Sequence, residues 1–285
     1  MTRGQIHDLG YQRYAGSRRA MGTRWRVIMR HQIASTWKGW WRLKIPVFAA
    51  LLTTVATGTI MYILRALDVM GAERLVRFAG ELLPSSILWY TKIGFLISLF
   101  VTATVVAGDV QSGAFTFYFA RSVRPRDYVL GKVAGLGLVL APVMVVGPVL
   151  LAGFRLGLAD TGHQLVELLP IVPKMAVVGA LGCAIYGVVP LGFSALTGNP
   201  RYAMALWAAY DIVVGQLVDL LAAGSPLAAL DLPTALQAAA TDLTGMHSRW
   251  AQPPMSLTAA VVSIAGHAAL AIALVAWRVR RAQQT

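Results

Sequence analysis

The chain has 285 residues, of which 57% are hydrophobic and only 13% charged, and its mean hydropathy is +0.63. So much apolar surface exceeds what one soluble core of this length can hide, so the composition excludes an ordinary soluble domain and predicts an all-α integral membrane protein. A formal net charge of +13 does not by itself indicate nucleic acid, because the basic residues sort by segment along the chain, and the single cysteine, Cys183, excludes a disulfide framework or a cysteine metal site within one chain.

Residues 1–44 form a polar, basic segment that precedes the first long apolar run, so no cleavable signal peptide is expected and this segment is predicted to stay in the cytoplasm. Within it, Trp25, Ile28, Met29, Ile33, Trp37, Trp40 and Trp41 share a broad face at about 100° per residue, while Arg24, His31, Ser35, Lys38 and Arg42 gather on the other. The pattern predicts an interfacial helix, with the indoles of Trp25, Trp37, Trp40 and Trp41 in the headgroup layer and the cations toward anionic lipid. The competing reading is a helix packed on a partner domain.

Apolar runs near 45–64, 86–107, 133–154, 171–196, 203–222 and 256–277 each reach the roughly twenty residues needed to cross a bilayer. They predict a six-helix transmembrane domain over 45–277 and a cytoplasmic tail at 278–285. Basic residues support that topology. The N-terminal segment, the central segment 108–132, Arg201 and the tail residues Arg278, Arg280 and Arg281 fall on the inner side, whereas fewer cations and most acidic residues fall outside. The outer connection 223–255 carries helix starts at Pro226 and Pro233 and apolar positions such as Leu227, Leu230, Leu236 and Leu243, which suit short half-helices dipping into the outer membrane face.

The segment 108–132, GDVQSGAFTFYFARSVRPRDYVLGK, is too charged to stay in lipid, and Arg121, Arg124, Arg126 and Lys132 orient it inward. Its aromatic residues, Phe115, Phe117, Tyr118, Phe119 and Tyr128, exceed what a purely orienting loop needs. Asp109, Gly113, Arg121, Tyr128, Gly131 and Lys132 fall in register with the loop between the second and third membrane helices of ATP-binding cassette (ABC) transporter permeases of the second exporter type, which the chain resembles. Ala114, Ser122 and Pro125 stand where that family usually has Thr, Pro and Arg. The resemblance implies a permease subunit in the plasma membrane that works as a homodimer or heterodimer. It also implies an elbow helix before the first span, half-helices before the last, and a 108–132 loop that couples to separate ABC ATPase subunits carrying ATP and Mg. The coupling residues it implies are Asp109, Gly113, Arg121, Arg124, Arg126, Tyr128 and Lys132.

No nucleotide-binding P-loop is present, since Gly131-Lys132 lacks both the upstream glycine and the following hydroxyl residue, so ATP binding and any cofactor are expected on a partner chain. No metal site and no catalytic residue are expected, because the sequence has neither a Gly-x-Ser-x-Gly elbow nor a His-Glu-x-x-His motif. Asp211, about nine residues into the fifth run, is costly in lipid and must face a partner, a cavity or water. It and His267 are the candidates for a translocation path, while Lys92 and Lys174 read as snorkelling residues near the outer ends of their spans. An ATP-independent secondary transporter using Asp211, or a membrane scaffold, is the alternative function. The apolar lining favours export of a lipophilic or amphipathic substrate.

Overall fold

A computed structural model describes residues 23–68, 73–120, 123–222, 225–246 and 255–284, and among them every regular element is helical. Helix α1 (Arg24–Trp37) leads through a π turn (Trp40–Lys44) into α2 (Ile45–Asp68). Helix α3 (Glu73–Phe100) continues through a 3-10 turn (Thr102–Thr104) into α4 (Val105–Gln111), followed by the short α5 (Ala114–Ala120). Helices α6 (Pro125–Ala141) and α7 (Gly147–Gly157) are joined by a π turn (Pro142–Val146), and α8 (Gly162–Leu168), α9 (Ile171–Gly187) and α10 (Val189–Leu196) return the chain. Helices α11 (Pro200–Ala208) and α12 (Gly215–Ala222) flank a third π turn (Ala209–Val214). A 3-10 turn (Pro226–Leu230), α13 (Leu232–Thr244) and α14 (Leu257–Ala282) complete the order.

Among the described residues, five helices are long and apolar enough to cross a membrane: Trp41–Leu67, Leu82–Gln111, Pro125–Gly157, Gly162–Leu196 and Leu257–Ala282. Their outward faces are as apolar as their inward ones; Phe48, Leu52 and Val55 of α2 and Val262 and Leu270 of α14 are exposed. Helices apolar all round belong in lipid, where every backbone group is satisfied within the helix. The chain is therefore a multi-pass membrane protein. The segment expected as the fifth span differs from a plain helix, because the π turn at Ala209–Val214 divides it. Three consecutive β-branched residues, Ile212, Val213 and Val214, crowd the regular helical turn there.

Small residues set the closeness of the helices. A Cβ on Gly179 would lie 2.3 Å from the Met144 carbonyl oxygen, and one on Gly94 would meet Met144 Sδ at 2.8 Å, so α3 and α9 both press on the π turn that begins at Pro142. Proline cannot supply the backbone bond of a regular turn, which is the local cause of that bulge. Gly187 and Cys183 extend the same face of α9 onto α6, with Cys183 Sγ 3.8 Å from the Gly137 carbonyl oxygen. Helix α13 buries Leu232, Ala235, Leu236, Ala239 and Ala240 against α3, α9 and α14, so it is packed into the bundle rather than lying in a free loop.

One end of the bundle collects the connections of the chain. Lys132 at the start of α6 bonds Gln32 of α1, and Gly198, between α10 and α11, packs against Val110 of α4 and Arg278 of α14. Arg278 and Arg281 lie at this end, beside Gly113 and Phe115 of the segment 108–132. That segment is largely helical. Gly113, at φ +68°, turns the chain between α4 and α5, and Pro125 opens α6 with Arg124 extended as its N-cap.

Candidate functional site

At the basic end, four side chains from three helices meet. The Asp109 carboxylate accepts a hydrogen bond from the Tyr128 hydroxyl at 2.7 Å and lies 2.8 Å from the Lys132 ammonium. Lys132 also donates to Gln32 Oε1 at 3.0 Å, and Gln32 in turn donates to Thr36 Oγ1 at 3.1 Å. Lys132 and Tyr128 are buried, so the carboxylate compensates a charge that would otherwise be stranded. The rings of Phe115 and Tyr118 pack edge-on against Tyr128, at centroid distances of 5.3 and 5.6 Å, which seats α5 on the cluster. Burial and the negative charge of Asp109 push the Tyr118 phenol up to about 12.

The close approach of α1 depends on glycine. A Cβ on Gly131 would lie 2.7 Å from Ile28 Cβ and 2.8 Å from the Trp25 carbonyl oxygen, and one on Gly135 would lie 3.0 Å from Gln32 Cβ. Helix α1 thus buries the stripe Ile28, Gln32 and Thr36, which lies between its aromatic and its cationic faces. Trp37 and Trp41 are exposed on the aromatic side, and Trp25 is half-buried beneath the Arg26 guanidinium at 5.5 Å. The side chain of Trp40 lies outside the described residues.

The predicted coupling residues consequently divide into two groups. Asp109, Tyr128 and Lys132 are turned inward and hold the elbow together, whereas Gly113, Arg124 and Arg126 are exposed. Arg121 lies outside the described residues. Between these positions in the chain, Phe117 is 73% exposed. A cavity of about 300 Å³ between α5 and the end of α14 is lined by Gly113, Phe115, Thr116, Arg278 and Arg281, so the tail arginines flank the same surface. In the sequence these arginines read only as topology signals.

Further along the bundle, a cavity of about 460 Å³ opens between α3, the π turn at Ala209–Val214 and α13. Asp211, Asp231 and Lys92 line it together with Tyr186 and the apolar side chains of Leu88, Phe95, Leu96 and Ile212. Asp211 Oδ1 is buried and takes no hydrogen bond, and the buried Tyr186 hydroxyl has Thr91 beside it. Gly215 lets the Asp231 carboxylate approach the backbone one turn after Asp211, where a Cβ would meet Asp231 Oδ1 at 2.8 Å. The Asp231 carboxylate also accepts the Thr234 hydroxyl at the start of α13. Lys92, read from sequence as a snorkelling residue, attracts Asp211 across the cavity. Asp231 was missed because Asp-Leu-Pro reads as a helix start, which is also its place in the fold.

His267 does not line this cavity. Its Nδ1 lies 2.7 Å from the Ser263 carbonyl oxygen and its Nε2 lies 2.6 Å from the Tyr210 hydroxyl, tying α14 to the π turn that carries Asp211. Next to it, the fully buried Trp207 donates to Ser98 Oγ at 2.8 Å and contacts the rings of Phe95, Tyr186, Phe193 and Tyr210. Among the described residues, no group of three or more His, Cys, Asp or Glu side chains could hold a metal ion. No protein-family model matches the chain, and no curated protein matches it.

Proposed function

We propose that the chain is the permease half of an ATP-driven ABC exporter of the second type, crossing the plasma membrane six times with both termini in the cytoplasm. The observation that carries the reading is the elbow at α4 and α5. An Asp109–Tyr128–Lys132 cluster seats a short helix at the basic end of a membrane bundle; that helix exposes Phe117, and Arg124 and Arg126 are exposed at the start of the next. Such residues suit a groove on a separate ATPase, because exposed aromatic and arginine side chains are enriched in protein-binding hot spots. ATP closure of the motor pair would move α5, and the buried ionic cluster would transmit that movement to α6 and α1.

Parity supports six spans. Helix α1, the α4–α5 elbow, the Gly198 turn and the end of α14 share one end, so an even number of crossings is expected between each and the next, and we assign α11–α12 as the crossing that follows Gly198. In this arrangement α1 is the elbow helix at the inner leaflet, and the 3-10 turn and α13 are the half-helices near the outer face. Two copies would pair to enclose a path, and export of an amphipathic compound fits an apolar bundle that holds a polar cavity.

The test is ATP-dependent uptake into inside-out vesicles holding the chain and an ATPase with Walker motifs. Uptake that needs ATP and persists with a protonophore supports the reading. A second reading, proton-coupled transport through Asp211, draws on the two carboxylates of the cavity, and it predicts the reverse: uptake without ATP that a protonophore abolishes.

A further inference from the structure

The cavity between α3, the π turn at Ala209–Val214 and α13 has the volume of a small-molecule pocket, about 460 Å³, and walls of aromatic and aliphatic side chains. Its polar groups are few and of a particular kind. Two carboxylates, Asp211 and Asp231, face one ammonium, Lys92, so with all three ionised the lining carries a net negative charge. The Asp211 Oδ1 acceptor is buried without a hydrogen bond, whereas the Tyr186 hydroxyl, on a residue with none of its surface exposed, has Thr91 beside it. Buried polar atoms are almost always paired, and an unpaired carboxylate oxygen on a cavity wall marks the place of a missing polar donor.

We propose that this cavity binds an organic cation of amphipathic character, an ammonium on an aryl or alkyl body, with the ammonium donating to Asp211, the Tyr186 hydroxyl donating to an oxygen of the ligand, and Phe95, Leu96 and Ile212 holding the apolar body. Lys92 is the tethered cation that the ligand replaces. It is exposed and its long stem can swing to the interface, whereas the short side chains of Asp211 and Asp231 are fixed by the π turn and by the start of α13. An anionic ligand would meet two carboxylates and gain only one ammonium. Burial strengthens the discrimination, because charges in a low-dielectric site interact far more strongly than in water. The inference names a substrate class for the proposed permease and in that sense rests on that reading, but binding belongs to this chain alone and is measured without the ATPase.

The probe is dansylcadaverine, a fluorescent aryl sulfonamide with a primary ammonium and sulfonyl oxygens, added to the purified full chain in nanodiscs with empty nanodiscs as the blank. Its counterpart is the dansyl derivative of 6-aminohexanoate, which carries a carboxylate on a similar arm. Saturable binding of the ammonium probe is expected, with at least a tenfold preference over the carboxylate. Asp211→Asn should weaken it about tenfold or more and Tyr186→Phe several-fold, as expected for loss of a charge-assisted and of a neutral hydrogen bond. Lys92→Met should tighten it by removing the competing cation, a change that a merely structural role for the cavity would not produce. Equal binding of both probes, an Asp211→Asn affinity equal to wild type, or weaker ammonium binding in Lys92→Met would each overturn the proposal. Should Asp211→Asn fail to fold, the Tyr186→Phe and Lys92→Met affinities decide it. Ammonium binding without any ATP-driven uptake would sink the permease reading and leave the site standing, whereas ATP-driven uptake without ammonium binding would do the opposite.

Discussion

The Lys132 ammonium lies 2.8 Å from the Asp109 carboxylate in a site where the lysine side chain is only 4% exposed, and this pair joins α6 to the helix that ends the second membrane crossing. Removing one member strands the other. Lys132→Met leaves Asp109 with only the Tyr128 hydroxyl, and Asp109→Asn leaves the ammonium with Gln32. Each single change should destabilise the protein by about 3–5 kcal/mol, and the double variant should recover a substantial part of that loss. Thermal unfolding in one detergent checks it, and additive losses in the double variant would count against the pair.

Glycine at position 131 is required by contact, not by flexibility. Gly131→Ala pushes a methyl group against Ile28 and the Trp25 carbonyl, which are backbone-anchored and cannot yield without moving α1. A loss of about 1–3 kcal/mol is expected from such overpacking. Gly137→Ala, one and a half turns on and facing open space, should be neutral or stabilising by up to about 1 kcal/mol through helix propensity. Comparing the two melting temperatures, with protease sensitivity of α1 as the second readout, separates packing from propensity.

Tyr118 supplies a pH signature for the elbow. Its pKa is raised from 10.0 to about 12 in the folded protein, so the folded state holds the proton more tightly than the unfolded chain. The corresponding stability is fully present below pH 10 and is lost as pH rises through 12. Tyr118→Phe should therefore flatten the alkaline fall in stability relative to wild type and leave the neutral range unchanged. An identical alkaline profile in the two proteins would exclude the effect.

Topology is open to direct labelling. On a Cys183→Ala background, cysteines at Ser112 and Gln284 should react with an impermeant maleimide only from the cytoplasmic side, and one at Gly162 only from outside. All three positions are exposed at helix ends. Labelling of Ser112 and Gln284 from opposite sides would break the even number of crossings between them.

Hydropathy made most of the bundle legible. The runs at 45–64, 86–107, 133–154 and 171–196 lie within longer helices and that at 256–277 starts on the N-cap of one, because twenty apolar residues in sequence leave the backbone little choice but a helix in lipid. What composition could not reveal are the three π turns, since Pro142 or a run such as Ile212-Val213-Val214 permits a bulge without requiring one. The docking stripe of α1 was hidden for a related reason. It includes Gln32 and Thr36, which amphipathic reasoning assigns to water, and only the distant Lys132 explains their burial. At the cavity, Asp211 was conspicuous as a carboxylate inside an apolar run, but Asp231 and Lys92 come from other elements, and their meeting depends on how α3 and α13 pack.

The central claim is that the exposed face of α5 and its flanking arginines engages a separate ATPase. Its most direct measurement is the ATPase activity that co-purifies with the tagged chain when Arg124→Glu and Arg126→Glu are combined, set beside Phe117→Asp. All three side chains point away from the bundle, so folding should be retained and the melting temperature should stay near that of wild type. The account predicts that a Walker-motif ATPase is recovered with the wild-type chain, and that its recovery or its substrate-stimulated activity falls at least tenfold in both variants. Undiminished recovery, hydrolysis and transport in both would contradict it.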